Sequence, residues 1–203
     1  MPEIFGFKPV NIDGKFDEWA EITVEHRDTI GDTAHRDYMG YGGSHYTNNS
    51  GRNDIITSKV AVDASTLSFW VETKEALTAH TGRNWMLLLI DADKNPATGW
   101  YGYDYLINKR ISDQKITTLC RYDADVSADP WVEVASLDYR YNGCYLELAV
   151  PRNLLGLNSD AFTFDFHWCD NPAVLKVPIS LCIEGDSAPN RRFNYRCVWR
   201  KLR

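Results

Sequence analysis

Apolar and polar positions alternate along most of this chain, in short runs separated by turn residues. The exception is an unbroken apolar run, Trp85, Met86, Leu87, Leu88, Leu89 and Ile90. A run without alternation suits a strand covered on both faces, in the middle of a sheet. It breaks into Asp91, Ala92, Asp93, Lys94, Asn95, Pro96, Ala97, Thr98 and Gly99, residues that stop a strand and favour turns. A second strand is predicted to return through Tyr103, Tyr105 and Ile107. Residues 84–110 therefore read as a central hairpin with a polar tip.

Elsewhere the period is two. Val60 and Val62, then Leu67, Phe69 and Val71, share one face, punctuated by Lys59, Asp63, Ser68 and Glu72. That predicts two strands joined by a turn at 63–66. Trp70, opposite Phe69, reads as the second face of a core strand rather than a ligand platform, and Trp19 as a plug at one end of the core. Further strands are predicted over 115–122, 132–139 and 144–150, with Asn142 and Gly143 forming a hairpin turn. Pro151 to Gly156 reads as one helical turn. Phe162, Phe164, Phe166 and Trp168 alternate with Thr163, Asp165 and His167. Asp165 and His167 read as a solvated strand face in preference to an acid–base pair. A loop at 185–190 and a strand over 193–199 complete the chain.

About ten short strands and almost no helix predict an all-β fold. The expected form is an antiparallel β-sandwich, jelly-roll or immunoglobulin-like, as a single domain over residues 1–203. One segment breaks the pattern. Residues 27–54 mix five glycines with Asp, Asn, His and Tyr and hold few apolar positions. A polar loop insertion of this length is either an ordered surface excursion or functional. It contains His45 and Arg52.

The chain has 203 residues, enough for a full core, with seven Trp, eleven Tyr and eight Phe. Such aromatic content suits strands, and also surfaces that stack on sugars. A net charge of −6 argues against nucleic-acid partners. No apolar run is long enough to span a membrane. Five scattered cysteines leave at least one thiol without an internal partner and offer no thiolate zinc motif. Met1, Pro2 and Glu3 do not open a signal peptide. The expectation is a piece of a longer exported protein, extracytoplasmic in location.

Asp91, Asp93 and Asn95 place hard oxygen donors at alternate positions of a tight turn, the arrangement a calcium loop needs. Pro96 and Gly102 stand where a helix-loop-helix calcium site wants Gly and Glu. The alternative is an Asx-rich turn bonded only to its own backbone. No nucleophile elbow, metalloprotease pair, phosphate loop or dinucleotide fingerprint is present.

Several pieces, in order, resemble family 9 carbohydrate-binding modules and their DOMON-like relatives. They are Ile12-Asp13-Gly14 with Glu18-Trp19, the strand pair from Val60 to Val71, and the apolar strand into Asp91 with Thr98-Gly99 and Asp104. Leu146 to Pro151 with Leu154-Leu155-Gly156, and Phe166 to Asp170, complete the likeness. It covers most of the chain outside residues 27–54. It implies a calcium-supported β-sandwich with structural metal ligands at Asp91, Asp93, Asn95 and Asp104, attached to a polysaccharide-degrading enzyme. Residues 99–104 and 185–195 are also similar to C-terminal accessory domains of exported glycosidase-like proteins. Sugar-binding members carry an acidic residue and a Gln-x-Arg where this chain has Leu87, Leu106 and Asn108.

The expected function is thus a non-catalytic carbohydrate-binding-like accessory domain with a diverged sugar site. Trp100, Tyr101 and Tyr103 are the candidate aromatic platform, beside His45 and Arg52 of the 27–54 loop. The alternatives are a structural domain docking on a catalytic domain of the same parent chain, with basic tail residues as contacts, and a stand-alone glycoside hydrolase.

Overall fold

The computed structural model describes residues 2–33, 35–190 and 193–202, with Tyr41 described by its backbone alone. The described residues form strands β1 (Ile4–Phe5), β2 (Glu25–Arg27), β3 (Arg36–Met39), β4 (His45–Asn48), β5 (Ile55–Val62), β6 (Thr66–Thr73) and β7 (Leu87–Asp91). They continue as β8 (Tyr105–Ile111), β9 (Ile116–Tyr122), β10 (Trp131–Asn142), β11 (Tyr145–Pro151), β12 (Ala161–Asp170), β13 (Asp186–Ala188) and β14 (Tyr195–Arg200). The only helical pieces among them are short 3₁₀ turns, and no helix is long and apolar enough to cross a membrane.

One large sheet runs in the order β1-β14-β12-β7-β8-β9-β10-β11-β6-β5-β2, with β13 added to β12. All its pairs are antiparallel except β1 with β14. The fold is all-β, and its two layers belong to one curled sheet. Strand β10 makes the corner. Trp131 to Asp138 pair with β9, Tyr139 to Asn142 pair with β11, and a bulge at Glu133/Ala135 bends the strand. Across the layers Phe69 meets Phe164 and Phe166 edge-on, at 6.0 and 5.5 Å. The Trp168 indole donates to Ser58 Oγ at 3.0 Å, satisfying the polar atoms of both inside the core.

Strand β7 lies between β12 and β8 and is buried on both sides, as its unbroken apolar run requires. Leu88 and Ile90 enter the core between the layers; Leu87 and Leu89 enter a second cluster on the outer face. Trp19 caps a third cluster on the outside of β5 and β6, where Trp70 is sandwiched between Trp19 and Tyr145. Trp70 is therefore core, and Trp19 covers a sheet face rather than an end of the sandwich.

The 27–54 insertion is more ordered than a loop. Its β3 and β4 form a separate two-stranded sheet, Arg36 opposite Asn48 and Met39 opposite His45. The Arg36 guanidinium donates to the carbonyls of Cys182 and Gly185, and the Thr47 N–H donates to Ile183 O at 3.0 Å. Residues 186–188, expected as loop, form β13. In the basic tail, Arg196 pairs with Asp165, Arg200 with Glu3 and Lys201 with Asp160. Those charges are engaged within the chain; Arg191, Arg192 and Arg203 lie outside the described residues.

Phe69 is the side chain through which β6 grips β12, so its truncation tests the two-layer packing. Phe69→Ala should cost about 3–5 kcal/mol in urea unfolding, the range for a buried aromatic replaced by alanine. A loss below about 1 kcal/mol would mean that the layers are not held there.

Candidate cation loop and the covered sheet face

The segment between β7 and β8 is built from side-chain bonds to its own backbone. Asp91 Oδ1 accepts the Lys94 N–H at 2.6 Å, and Asp93 Oδ1 accepts the Asn95 N–H at 2.8 Å. The Thr98 hydroxyl sits 3.1 and 3.0 Å from the two oxygens of Asp93. Asp104 Oδ2 accepts the Ala92 N–H at 2.9 Å, and the Asp104 N–H donates to Ile90 O. Trp100 and Tyr103 exchange backbone bonds around Tyr101 and Gly102. Gly99 is required: at φ +59°, any Cβ would lie 2.2 Å from the Tyr103 carbonyl oxygen.

These turns bring the carboxylates of Asp91, Asp93 and Asp104 within 4.8 Å of one another. Asn95 differs from expectation. Its side-chain oxygen accepts the Ala97 N–H, closing an Asx turn. Its backbone carbonyl and Asp91 Oδ2 instead flank Gly102, where a Cβ would lie 3.8 and 3.4 Å from them. The carboxyl of Asp91 is pushed up to about 6, by burial first and by the negative charges of Asp104, Asp165 and Asp93, against the opposing Lys94 N–H bond. Burial also raises Asp104. An all-oxygen set of three carboxylates with a nearby carbonyl fits a hard cation such as calcium, which would relieve that repulsion.

The expected sugar platform is placed differently. Trp100 and Tyr103 are buried, stacked on each other at 6.1 Å, with Trp100 against Trp131 and the Tyr103 hydroxyl donating to Asn194 Oδ1. Only Tyr101 of the three is exposed, at 59%. His45 pairs with Asp37 on the β3–β4 hairpin. Arg52 donates to both oxygens of Asp170 and to Arg83 O. In the β12–β7 register Asp165 faces Asp91, whereas Cys169, next to Asp170, faces Leu87. Arg52 and the cation loop are thus at opposite ends of β7. The five residues do not form one site, because the hairpin aromatics are consumed in roofing Leu87, Leu89 and Leu106.

A groove of about 560 Å³ does open beside the loop, lined by Ala97, Gly99, Arg121, Tyr122, Asp123 and Val132 among others. Sequence reading missed it because β9 and β10 build it from their outward-facing residues, which alone carry no motif. Asp165 and His167 share the outer face, yet neither is solvated. Asp165 accepts two bonds from Arg196. His167, wholly buried, contacts Phe193 O and Ser187 Oγ, and burial lowers its pKa to about 4. Burial of both side chains makes this Ser–His contact structural, with no access for a substrate.

The charge on Asp91 has a testable cost in the metal-free protein. With its folded pKa near 6 and an unfolded value of about 3.9, ionisation is disfavoured in the fold. The cost is absent below about pH 4, grows through that window and is full above about pH 6. Asn at this position keeps an oxygen for the Lys94 N–H. In chelator, Asp91→Asn should therefore unfold at higher urea than wild type at pH 7.5, with the advantage gone at about pH 4. An advantage independent of pH would rule out the charge as its cause.

In comparisons with known proteins, no family model, curated protein or solved structure matches this chain. A functional reading therefore rests on the geometry.

Proposed function

We propose that the chain is a non-catalytic, carbohydrate-binding-like accessory module of a polysaccharide-processing protein, with a calcium-supported 91–104 loop and a closed sugar site. The observation behind the closed site is the roof over the outer sheet face, and the module reading itself follows from the resemblance. Leu87 and Leu106 occupy positions where the resembled family presents polar side chains to a sugar. Both are fully buried beneath Trp100, Tyr103 and Leu181. A pyranose needs an aromatic face for stacking and paired donors and acceptors for its hydroxyls. That face offers neither.

The groove beside the loop is the remaining place for a glycan. Tyr122 lines it with Arg121 and Asp123 as polar partners, and Tyr101 is exposed on the connection between β7 and β8. Stacking adds roughly 0.5–1.5 kcal/mol per aromatic contact beyond area burial, so affinity after the cost of association is low. The second reading is a docking domain for a catalytic neighbour. The exposed apolar side chains of Val132 and Val134 favour it, because they stand on the wall of this same groove.

Titration calorimetry against mono- and oligosaccharides, with calcium present, separates the two readings. Glycan binding should be millimolar or weaker and should disappear in Tyr122→Ala. Tight binding that survives both Tyr122→Ala and Tyr101→Ala would place the sugar elsewhere, and silence toward every glycan would favour docking. The loop has its own check. Chelation should lower the melting temperature and calcium should restore it, as for any ligand of the native state alone. An unchanged melt with no metal by elemental analysis would remove calcium from the reading.

A further inference from the structure

Away from the 91–104 loop, a second group of carboxylates converges where the 27–54 excursion leaves and rejoins the sheet. Asp28 follows β2, Asp32 stands on the excursion, Asp54 precedes β5 and Asp186 opens β13. Oxygens of Asp28, Asp32 and Asp186 lie within 4.8 Å of one another. Asp186 is almost wholly buried; its Oδ2 accepts the Ile55 N–H at 2.6 Å and its Oδ1 the Ser187 N–H at 2.8 Å. Asp28 Oδ1 accepts from Asn190 Nδ2 at 2.9 Å. Asp54 Oδ2 accepts the N–H of Gly31, the residue before Asp32, at 2.8 Å.

Those bonds leave four buried acceptor oxygens without a partner: Asp28 Oδ2, Asp32 Oδ1, Asp54 Oδ1 and the Thr33 hydroxyl. Asp54 is 4% exposed and Thr33 0%, and neither belongs to the trio. Asp54 Oδ1 and the Thr33 hydroxyl are thus unpartnered groups outside the trio, Asp54 within electrostatic reach of Asp32 and Thr33 next to it in sequence. Asp32 repels the carboxylates of Asp28, Asp54 and Asp186 alike, so all three lie within electrostatic reach of it. Among the described residues none of the four forms an ion pair. Lys74 acts on Asp54 only from beyond ion-pair distance. A buried acceptor without a donor is costly and rare, and a positive charge among several such carboxylates would relieve that cost.

We propose that Asp28, Asp32, Asp54 and Asp186, with the Thr33 hydroxyl, hold a calcium-sized divalent cation that ties the 27–54 excursion to the sandwich. The donor set is all oxygen, which selects a hard cation, and the number of carboxylates suits calcium's six to eight ligands better than water-retaining magnesium. The ligands come from three separate stretches of chain, residues 28–33, Asp54 and Asp186. One ion would therefore cross-link β2, the excursion, β5 and β13, in a protein whose two-stranded β3–β4 sheet pairs with no other strand. This site is independent of the 91–104 loop and of any sugar.

The test counts ions on the full chain, using calcium in calorimetry and terbium in luminescence excited through the protein's aromatic residues. Tyr195, whose electrostatic neighbours are Asp28, Asp186 and Asp32, is the nearby sensitiser. The Asp91→Asn chain should still bind one calcium, and adding Asp32→Asn should weaken that binding by at least about tenfold. Asp32 Oδ1 makes no hydrogen bond, so the fold tolerates the change. In the wild-type background Asp32→Asn should lower the stoichiometry by one ion. Calcium should also protect residues 27–54 from protease in Asp91→Asn but not in the double variant. Two results overturn the proposal: a folded Asp91→Asn chain that takes up no calcium or terbium at about 10 mM, above the range of weak protein sites, or uptake indifferent to Asp32→Asn. A wild-type ion lost in Asp91→Asn alone would leave the loop reading intact and sink this one.

Discussion

The rest of the structure depends on the burial of β7 on both of its faces. Five consecutive buried residues cannot be covered by one facing layer, so the chain must supply a second cover. The adjoining stretch of sequence provides it. The turn after Asp91 carries Trp100 and Tyr103 back over Leu87, Leu89 and Leu106, with Trp131 and Leu181 completing the roof. The roof and the acidic loop are therefore one segment, fixed at Gly99 by a backbone approach that no other residue permits. Whatever stabilises the carboxylates of Asp91, Asp93 and Asp104 also holds the aromatic cover in place.

That coupling explains how the fold tolerates so much repulsion. Two acidic clusters sit among buried backbone donors, in a chain with a net charge of −6. Several of these carboxylates keep part of their solvation through N–H groups of the turns and strands they organise, such as Lys94 for Asp91 and Ile55 for Asp186. Backbone donors lower the cost of a buried negative charge without cancelling it. Both clusters stand where the chain leaves a strand, at the end of β7 and around β2, β5 and β13. The sheet supplies the rigidity and the connections carry the charge.

Much of this was legible in the sequence, for a physical reason. Strands such as β5, β6 and β12 bury large apolar residues at every second position, and that period survives any tertiary context. The unbroken run before Asp91 announced a doubly covered strand, and Asn142-Gly143 announced its hairpin. The rest depended on contacts distant in sequence. The β3–β4 hairpin is short and largely polar, so nothing local marks it; Arg36 anchors it to Cys182 and Gly185 almost 150 residues away. Trp100 read as a free platform because its sequence neighbours are turn residues, while its actual neighbours are Trp131 and Tyr103. Asp28 and Asp32 fall in the polar 27–54 segment and carry no motif, and only the return of the chain at Asp186 brings a third carboxylate to them.

The leucines at 87 and 106 and the aromatic roof above them belong to a single choice. Polar side chains at those positions would be buried under Trp100 and Tyr103 with no water and few partners, a cost of roughly 1–3 kcal/mol each. Leucines without the roof would expose a contiguous apolar face, the kind of patch that soluble proteins reserve for partners. Either residue set is stable only with its matching cover. Replacing one leucine by a carboxylate would therefore not create a sugar site; it would place a charge in a dry cluster. Sugar binding on this face would require the 99–103 turn to move first, and that turn is held by Gly99 and by the carboxylates beneath it.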